Sequence, residues 1–336
     1  MNRDCLKLTV YFGERARAGG GFVAERLIEI FARHEVEASL VMRAVEGFGA
    51  KHGLRTDRLL TLSEDLPLVA VAVDVRARIE AARREVEALP FSGLVTLERA
   101  RLLTRHHEGG RLPPELGPAA KLTVYVGRQE RVGRTPAYEA IVDLLHDRGV
   151  AGATVLLGVD GTKHGVRERA QFFGRNADVP LMLVAVGEGE GIAAAIPELT
   201  ALLARPLATV ERVEVCKRDG HRLAKPTPVS SADPDVRQKL TVYAGEQSRH
   251  GGRPLSHALV RELRRAGAAG ATSLRGVWGY HGDHRPHGDS FWALRRRVPI
   301  VTVLLDTPER MRGWWEIVDR LTDETGLVTS ETVPAH

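Results

Sequence analysis

One seven-residue strand is written three times in this chain, as KLTVYFG from Lys7, KLTVYVG from Lys121 and KLTVYAG from Lys239. Each copy runs into a basic, glycine-rich loop (GERARAGG, GRQERVGR, GEQSRHGG). These loops keep Gly13/Gly127/Gly245, Arg17/Arg131/Arg249 and Gly19/Gly133/Gly251 in register. The register continues through VEASLVMRAVEGFG, VAGATVLLGVDGTK and AAGATSLRGVWGYH, then through EDLPLVAVAVD, ADVPLMLVAVG and RRVPIVTVLLD, which align Pro67, Pro180 and Pro299. Self-similarity over units this long sets the architecture first: whatever one unit folds into, the chain holds three of them.

Each unit reads β-α-β-β-α-β. The first strand alternates, with Leu8, Val10 and Phe12 on one face and Thr9 and Tyr11 on the other. The first helix (FVAERLIEIFARH, PAYEAIVDLLHDRG, PLSHALVRELRRAG) has apolar residues three and four apart, and Pro136 and Pro254 are expected in its first turn. In the second unit Pro197 is expected to interrupt the second helix. The expected units are residues 6–104, 121–216 and 239–333, joined by Pro-, Gly- and charge-rich linkers at 105–120 and 217–238.

This element order describes an α+β protein of three tandem ferredoxin-like domains, each with four antiparallel strands and helices on one face. The third strands, Leu68–Val73, Leu181–Val186 and Ile300–Leu305, are apolar on both sides, with only Thr302 mildly polar. A sheet with one wet face would alternate there. Both faces are therefore expected to be buried, and the simplest cover for three bare sheets is each other. The expectation is an intramolecular pseudo-trimer.

Composition narrows function. The 48 basic and 43 acidic side chains are mixed, with no basic run interleaved with aromatics, so nucleic acid is not expected as a partner and a small anion ranks above it. The longest apolar runs are too short to span a bilayer and no signal peptide opens the chain, so a cytoplasmic, non-embedded protein is expected. Cys5 and Cys216 are too few for a disulfide framework or a zinc site. No nucleophile elbow, HExxH or repeated carboxylate pair appears, and the glycine-rich VGEGEGIAAA lacks a P-loop's Lys-Ser/Thr. An enzyme is not expected.

Candidate binding residues lie in two loops. The first, at Gly13–Gly21, Gly127–Thr135 and Gly245–Arg253, joins a strand to a helix start, where backbone N–H groups favour anions. It offers Arg17, Arg131 and Arg249 with Gly19, Gly133 and Gly251, either for anion binding or as a basic turn whose arginines pair with Glu14 or Glu246. The second loop follows Arg43 and Arg275 and carries Gly47, Gly49, His52, Gly161, His164 and Gly279. The second copy has Leu157 and Arg128 where the others have arginine and glutamate, so unequal sites are expected. In the third copy, His281, Asp283, His284 and His287 crowd one loop and form a candidate divalent-metal set.

The segments YAGEQSRHGGRPLSHALVRELRRAGAAGATSLRGVWGYHG and VEGFGAKHGLRTDRLLTLSEDLPLVAVAVD resemble the domain-of-unknown-function 190 family, within the PII-like, GlnB-like group of trimeric signalling proteins. The resemblance covers all three repeats. It implies ligand pockets between neighbouring units and a mobile loop after the second strand that reports ligand state. It further implies adenine nucleotides, cyclic dinucleotides, bicarbonate or metals as ligand classes, and a protein partner such as a membrane transporter or channel. The family often places histidine in this loop; His52 fits, whereas Arg55 stands where a second histidine is expected.

Overall fold

The first strand of each repeat is central because it is apolar on one face and polar on the other, and both faces find cover. The computed structural model describes the chain except residues 1–2, 50–54, 57–65, 104–116, 164–165, 170–178, 230–232, 282–285, 289–297, 324 and 336. Repeat 1 comprises β1 (Arg3–Gly13), α1 (Val23–Arg33), β2 (Ala38–Arg43), a short β3 (Glu46–Phe48), β4 (Pro67–Val75), α2 (Arg76–Glu87) and β5 (Gly93–Leu103). Repeat 2 has β6 (Ala119–Gly127), α3 (Ala137–Asp147), β7 (Gly152–Leu157), β8 (Asp160–Lys163), β9 (Pro180–Glu188), α4 (Gly189–Leu202), β10 (Ala208–Arg212) and β11 (Glu214–Arg218). Repeat 3 has β12 (Val236–Gly245), α5 (Leu255–Ala266), a long β13 (Ala271–His281), β14 (Pro299–Asp306), α6 (Pro308–Leu321) and β15 (Leu327–Pro334). The protein is thus a mixed α+β molecule with a mostly antiparallel sheet and six helices among the described residues.

Within repeat 1 the antiparallel order is β2-β4-β1-β5. Repeat 2 repeats it as β7-β9-β6-β10, and repeat 3 as β13-β14-β12-β15. The helices cover one face of each sheet because their apolar residues recur along one side, as with Leu27, Ile28 and Phe31 on α1 and Leu255, Leu259 and Leu263 on α5. Each repeat so encloses a core, mostly of its own residues, with Leu103 and Tyr280 added to that of repeat 2 and Phe48 and Cys216 to that of repeat 3. Helix ends depart from expectation in two places. Pro136 and Pro254 occupy the extended residue just before the helix rather than its first turn. Pro197 lies inside α4 without ending it; the Thr200 hydroxyl donates to the Pro197 carbonyl one turn on.

The repeats are stitched edge to edge. β3 of repeat 1 pairs with the start of β13 in repeat 3, the far half of β13 pairs with β7 in repeat 2, and β8 of repeat 2 pairs with β2 in repeat 1. The final strands run the other way round: β10 joins the end of β5, β11 joins β15, and Ala335 bridges to Thr96. A fourth apolar cluster draws on all three repeats, including Val71, Tyr125, Met182, Tyr243, Val301 and Leu327. The helix-free faces therefore meet one another. No helix among the described residues is long and apolar enough to cross a membrane.

Candidate functional site

The same face of the first strand that carries Thr9 and Tyr11 also carries Lys7, and the repeat brings Lys121 and Lys239 to equivalent places. All are buried, at 7, 4 and 5% exposure. Strand register sets Lys7 opposite Glu98, Lys121 opposite Glu211 and Lys239 opposite Glu331. Each ammonium contacts its own cross-strand carboxylate at 3.0, 2.8 and 3.0 Å respectively. Each also reaches the next repeat: Lys7 to Glu211 at 2.5 Å, Lys239 to Glu98 at 2.5 Å, and Lys121 to Glu331. Six charges close into an alternating ring in which every side chain binds two repeats.

Burial on its own would raise Glu98, but the ammonium groups of Lys239, Lys7 and Lys121 hold it well below the ordinary carboxylate range. Glu331 is likewise lowered against burial, by Lys121 and Lys239. Lys121 is raised well above its ordinary value: burial opposes this, and Glu211, Glu331 and Glu98 overcome it. One oxygen from each glutamate lies within 4.8 Å of the others, a spacing that suits a metal ion. Three ammonium groups already neutralise those carboxylates, so a cation would have to displace ion pairs to enter. The ring is a structural device. Beside it, the hydroxyls of Thr96, Thr209 and Thr329 find no hydrogen-bond partner among the described residues.

The open site lies elsewhere, between repeats 1 and 3. A cleft of about 630 Å³ is bounded by the β1 end and its following loop (Tyr11–Gly13, Arg15–Arg17), by Phe48 and Gly49, and by Phe91 to Leu94. Repeat 3 supplies Arg237, Ala269, Gly270, Thr272, Val303, Leu305 and Asp306. Phe91 packs edge-on to Phe12 with centroids 6.4 Å apart. Arg17 stacks over Phe22 at 4.5 Å. Asp306 is committed to the scaffold, accepting from the backbone N–H of Ala269 at 3.0 Å and of Thr307 at 2.8 Å, and from the Trp314 indole at 2.7 Å. The lining thus joins arginine to aromatic and aliphatic surface.

The sequence-chosen residues divide around this cleft. Arg17 lines it. Its counterpart Arg131 instead donates to the Arg134 carbonyl at 2.9 Å, and Arg249 sits exposed in a two-residue ladder with Pro254. The glycine-rich loop is not an open helix start. It folds into a hairpin pairing Arg17–Ala18 with Gly21–Phe22, and Gly19 turns it at φ 56°. Gly133 and Gly251 repeat that turn at φ 60° and 54°. The first helical N–H groups of Val23, Ala137 and Leu255 already donate to carbonyls of these loops.

Arg43 pairs with Glu14 at 3.0 Å, and Arg275 pairs with Glu246 at 2.7 Å. This explains why Leu157 and Arg128 replace both partners together in repeat 2: the pair is lost as a unit. Gly47, Gly161 and Gly279 are crossing points between repeats, opposite Thr272, Leu40 and Thr154. Gly49 lines the cleft and Gly161 does not. His52, His164, Asp283 and His284 lie outside the described residues; His281 and His287 are described only as backbone in strands.

With this geometry in place, the family model described as Uncharacterized ACR, of domain-of-unknown-function 190, matches residues 5–102, 119–215 and 237–335. The chain belongs to the domain-of-unknown-function 190 family. A UPF0166 protein of Aquifex aeolicus (strain VF5) is 26% identical over 99 residues, which is 29% of this chain and 92% of that relative. One domain-of-unknown-function 190 repeat therefore corresponds to nearly a whole relative. A solved structure of an unknown protein from Galdieria sulphuraria matches 65% of this chain and 98% of its own at 11% identity, with a TM-score of 0.18.

Neither cysteine is in a disulfide among the described residues, and both are fully buried. Burial, reinforced by Glu214, pushes the Cys216 thiol up to about 12. The native protein is expected to leave both thiols unmodified by Ellman's reagent at mildly alkaline pH, and guanidinium is expected to expose both. Rapid native labelling would show that the strands around them open.

Proposed function

We propose that this chain is a single-polypeptide, PII-like pseudo-trimer of ferredoxin-like repeats that binds a small anionic ligand in a cleft between repeats. The observation that carries this reading is the 630 Å³ cleft between repeats 1 and 3, with arginines at its rim and aromatic rings inside it. Strand orders repeated in each unit and the closed cycle of inter-repeat pairing support the architecture. Arginine suits phosphate or carboxylate because its planar donors are permanently charged, and the rings offer a stacking surface. An adenine nucleotide satisfies both demands.

The protein acts in this reading as a sensor rather than a catalyst. A sensor in this sense needs a ligand that binds two states of the protein with different affinity, so that their populations shift and a protein partner can read the change.

The test is a melting series with ATP, ADP, AMP, cyclic AMP and cyclic di-AMP, run beside zinc, nickel and copper salts. A ligand that binds only the folded chain at a hundred times its Kd adds about 2.7 kcal/mol and raises Tm accordingly. A nucleotide shift is the expected result. A shift from metal alone would move the function to the histidine loop of repeat 3, and no shift from any compound would end the nucleotide reading.

A further inference from the structure

We infer that the chain carries one ligand site rather than three, and that the site between repeats 1 and 3 is specialised for a flat aromatic anion while its two counterparts are closed. The inference rests on the cleft reading above and goes further by fixing stoichiometry and the residues that decide it.

Size differs first. In repeat 3 the residues equivalent to the cleft walls, Tyr243, Ala244 and Pro299 facing Gly152, Val184 and Val186 of repeat 2, enclose only about 10 Å³. That is room for one water at most. In repeat 2 the corresponding place is spanned by an ion pair between Lys163 and Glu130. Strand register makes Lys163 the counterpart of Gly49 and of His281, because Thr162, Phe48 and Tyr280 face equivalent residues of the neighbouring repeat. Loop alignment makes Glu130 the counterpart of Ala16. Both partners of the closing pair are thus trimmed in repeat 1. A Cβ built on Gly49 meets nothing within 4 Å, so the space is real at that point.

Charge differs in the same direction. Arg15 lines the open cleft, while the other loops have Gln129 and Gln247 there. Arg237 lines it from repeat 3, and the equivalent strand positions hold Cys5 and Ala119. Among the described residues, this roomy cleft is also the one with guanidinium groups at both positions. Packing alone gives no reason for size and positive charge to change together at one interface. A site for an anion does.

The experiment uses 8-anilinonaphthalene-1-sulfonate, an aromatic monoanion built on a flat naphthalene, as probe with the full chain. One probe is expected per chain by fluorescence titration. The double variant A16E/G49K, which imports the closing pair of repeat 2, is expected to abolish that binding while keeping the native circular dichroism. The variant R15Q/R237A, which gives the cleft the neutral residues of its counterparts, is expected to weaken binding about tenfold or more, in line with loss of charged hydrogen bonds. Three probes per chain, or affinity unchanged in both variants, would overturn the inference. Nucleotides that fail to raise Tm while this pattern holds would remove only the identity of the physiological ligand. A nucleotide shift combined with three equivalent probe sites would remove only the specialisation.

Discussion

Replacing Lys121 with methionine will destabilise the protein by roughly 3–5 kcal/mol, because it leaves Glu211 and Glu331 buried with one ammonium fewer between them. For a chain of this size that is a fall in Tm of roughly 4–7 °C. Replacing the whole ring, with methionine or leucine at all six positions, should cost far less than the single change and can raise stability by about 1–4 kcal/mol. Urea denaturation of both variants separates an ion network that holds the structure from one that merely tolerates burial. Equal small effects would show that the ring charges are hydrated and weakly coupled.

The same ring sets the acid limit. Glu98 and Glu331 are lowered in the folded protein, so their contribution is present above the unfolded value of about 4.3 and disappears as pH falls through the lower, folded value. Lys121 is raised, so its contribution is complete below about 10.4 and is lost only above that. The ring's share of the denaturation midpoint should stay level between these limits. A loss centred near neutral pH would have to come from groups outside the ring.

Gly161→Ala is expected to be the next most damaging change. An added Cβ would fall 2.2 Å from the Ser39 carbonyl oxygen, and at Gly279 it would fall 2.2 Å from that of Ala153. Both neighbours are backbone in a paired strand, so neither can swing aside. Overpacking of this kind costs about 1–3 kcal/mol and more where backbone must move. Gly251→Ala serves as the control. Its φ is 54° but nothing lies within 4 Å, so it should cost only about 1 kcal/mol of backbone strain. Hydrogen exchange should show the damage of the first variant confined to β2 and β8, where the two repeats pair. Similar losses in Gly161→Ala and Gly251→Ala would mean that conformation, and not crowding, decides both.

Much of this was legible from the chain itself. The repeats, the α+β class and the two-sided burial of the third strands follow from patterns of side-chain polarity that local geometry obeys. The lysine ring was legible too, in a less direct way. Alternation that puts Thr9 and Tyr11 on the helix-free face must also put Lys7 there, and a buried lysine demands a carboxylate. Glu98, Glu211 and Glu331 each stand two residues after a threonine, in β5, β10 and β15. The cleft was harder. In-register residues drew attention to Arg17, Arg131 and Arg249, whereas Arg15 and Arg237 matter because they break the register. Gly47, Gly161 and Gly279 looked like ligand-loop glycines, yet their reason is close passage of two backbones from different repeats, which no single unit reveals.

The way each lysine hands its second ion pair to the following repeat has a bearing on synthesis. When the ribosome has released only the first two-thirds of the chain, Lys121 lacks Glu331 and Glu98 lacks Lys239. A product truncated there still balances two ammonium groups against two carboxylates, but Lys121 and Glu98 are each short of one partner. Only the third repeat brings in Glu331 and Lys239, so its arrival is the step that completes the ring.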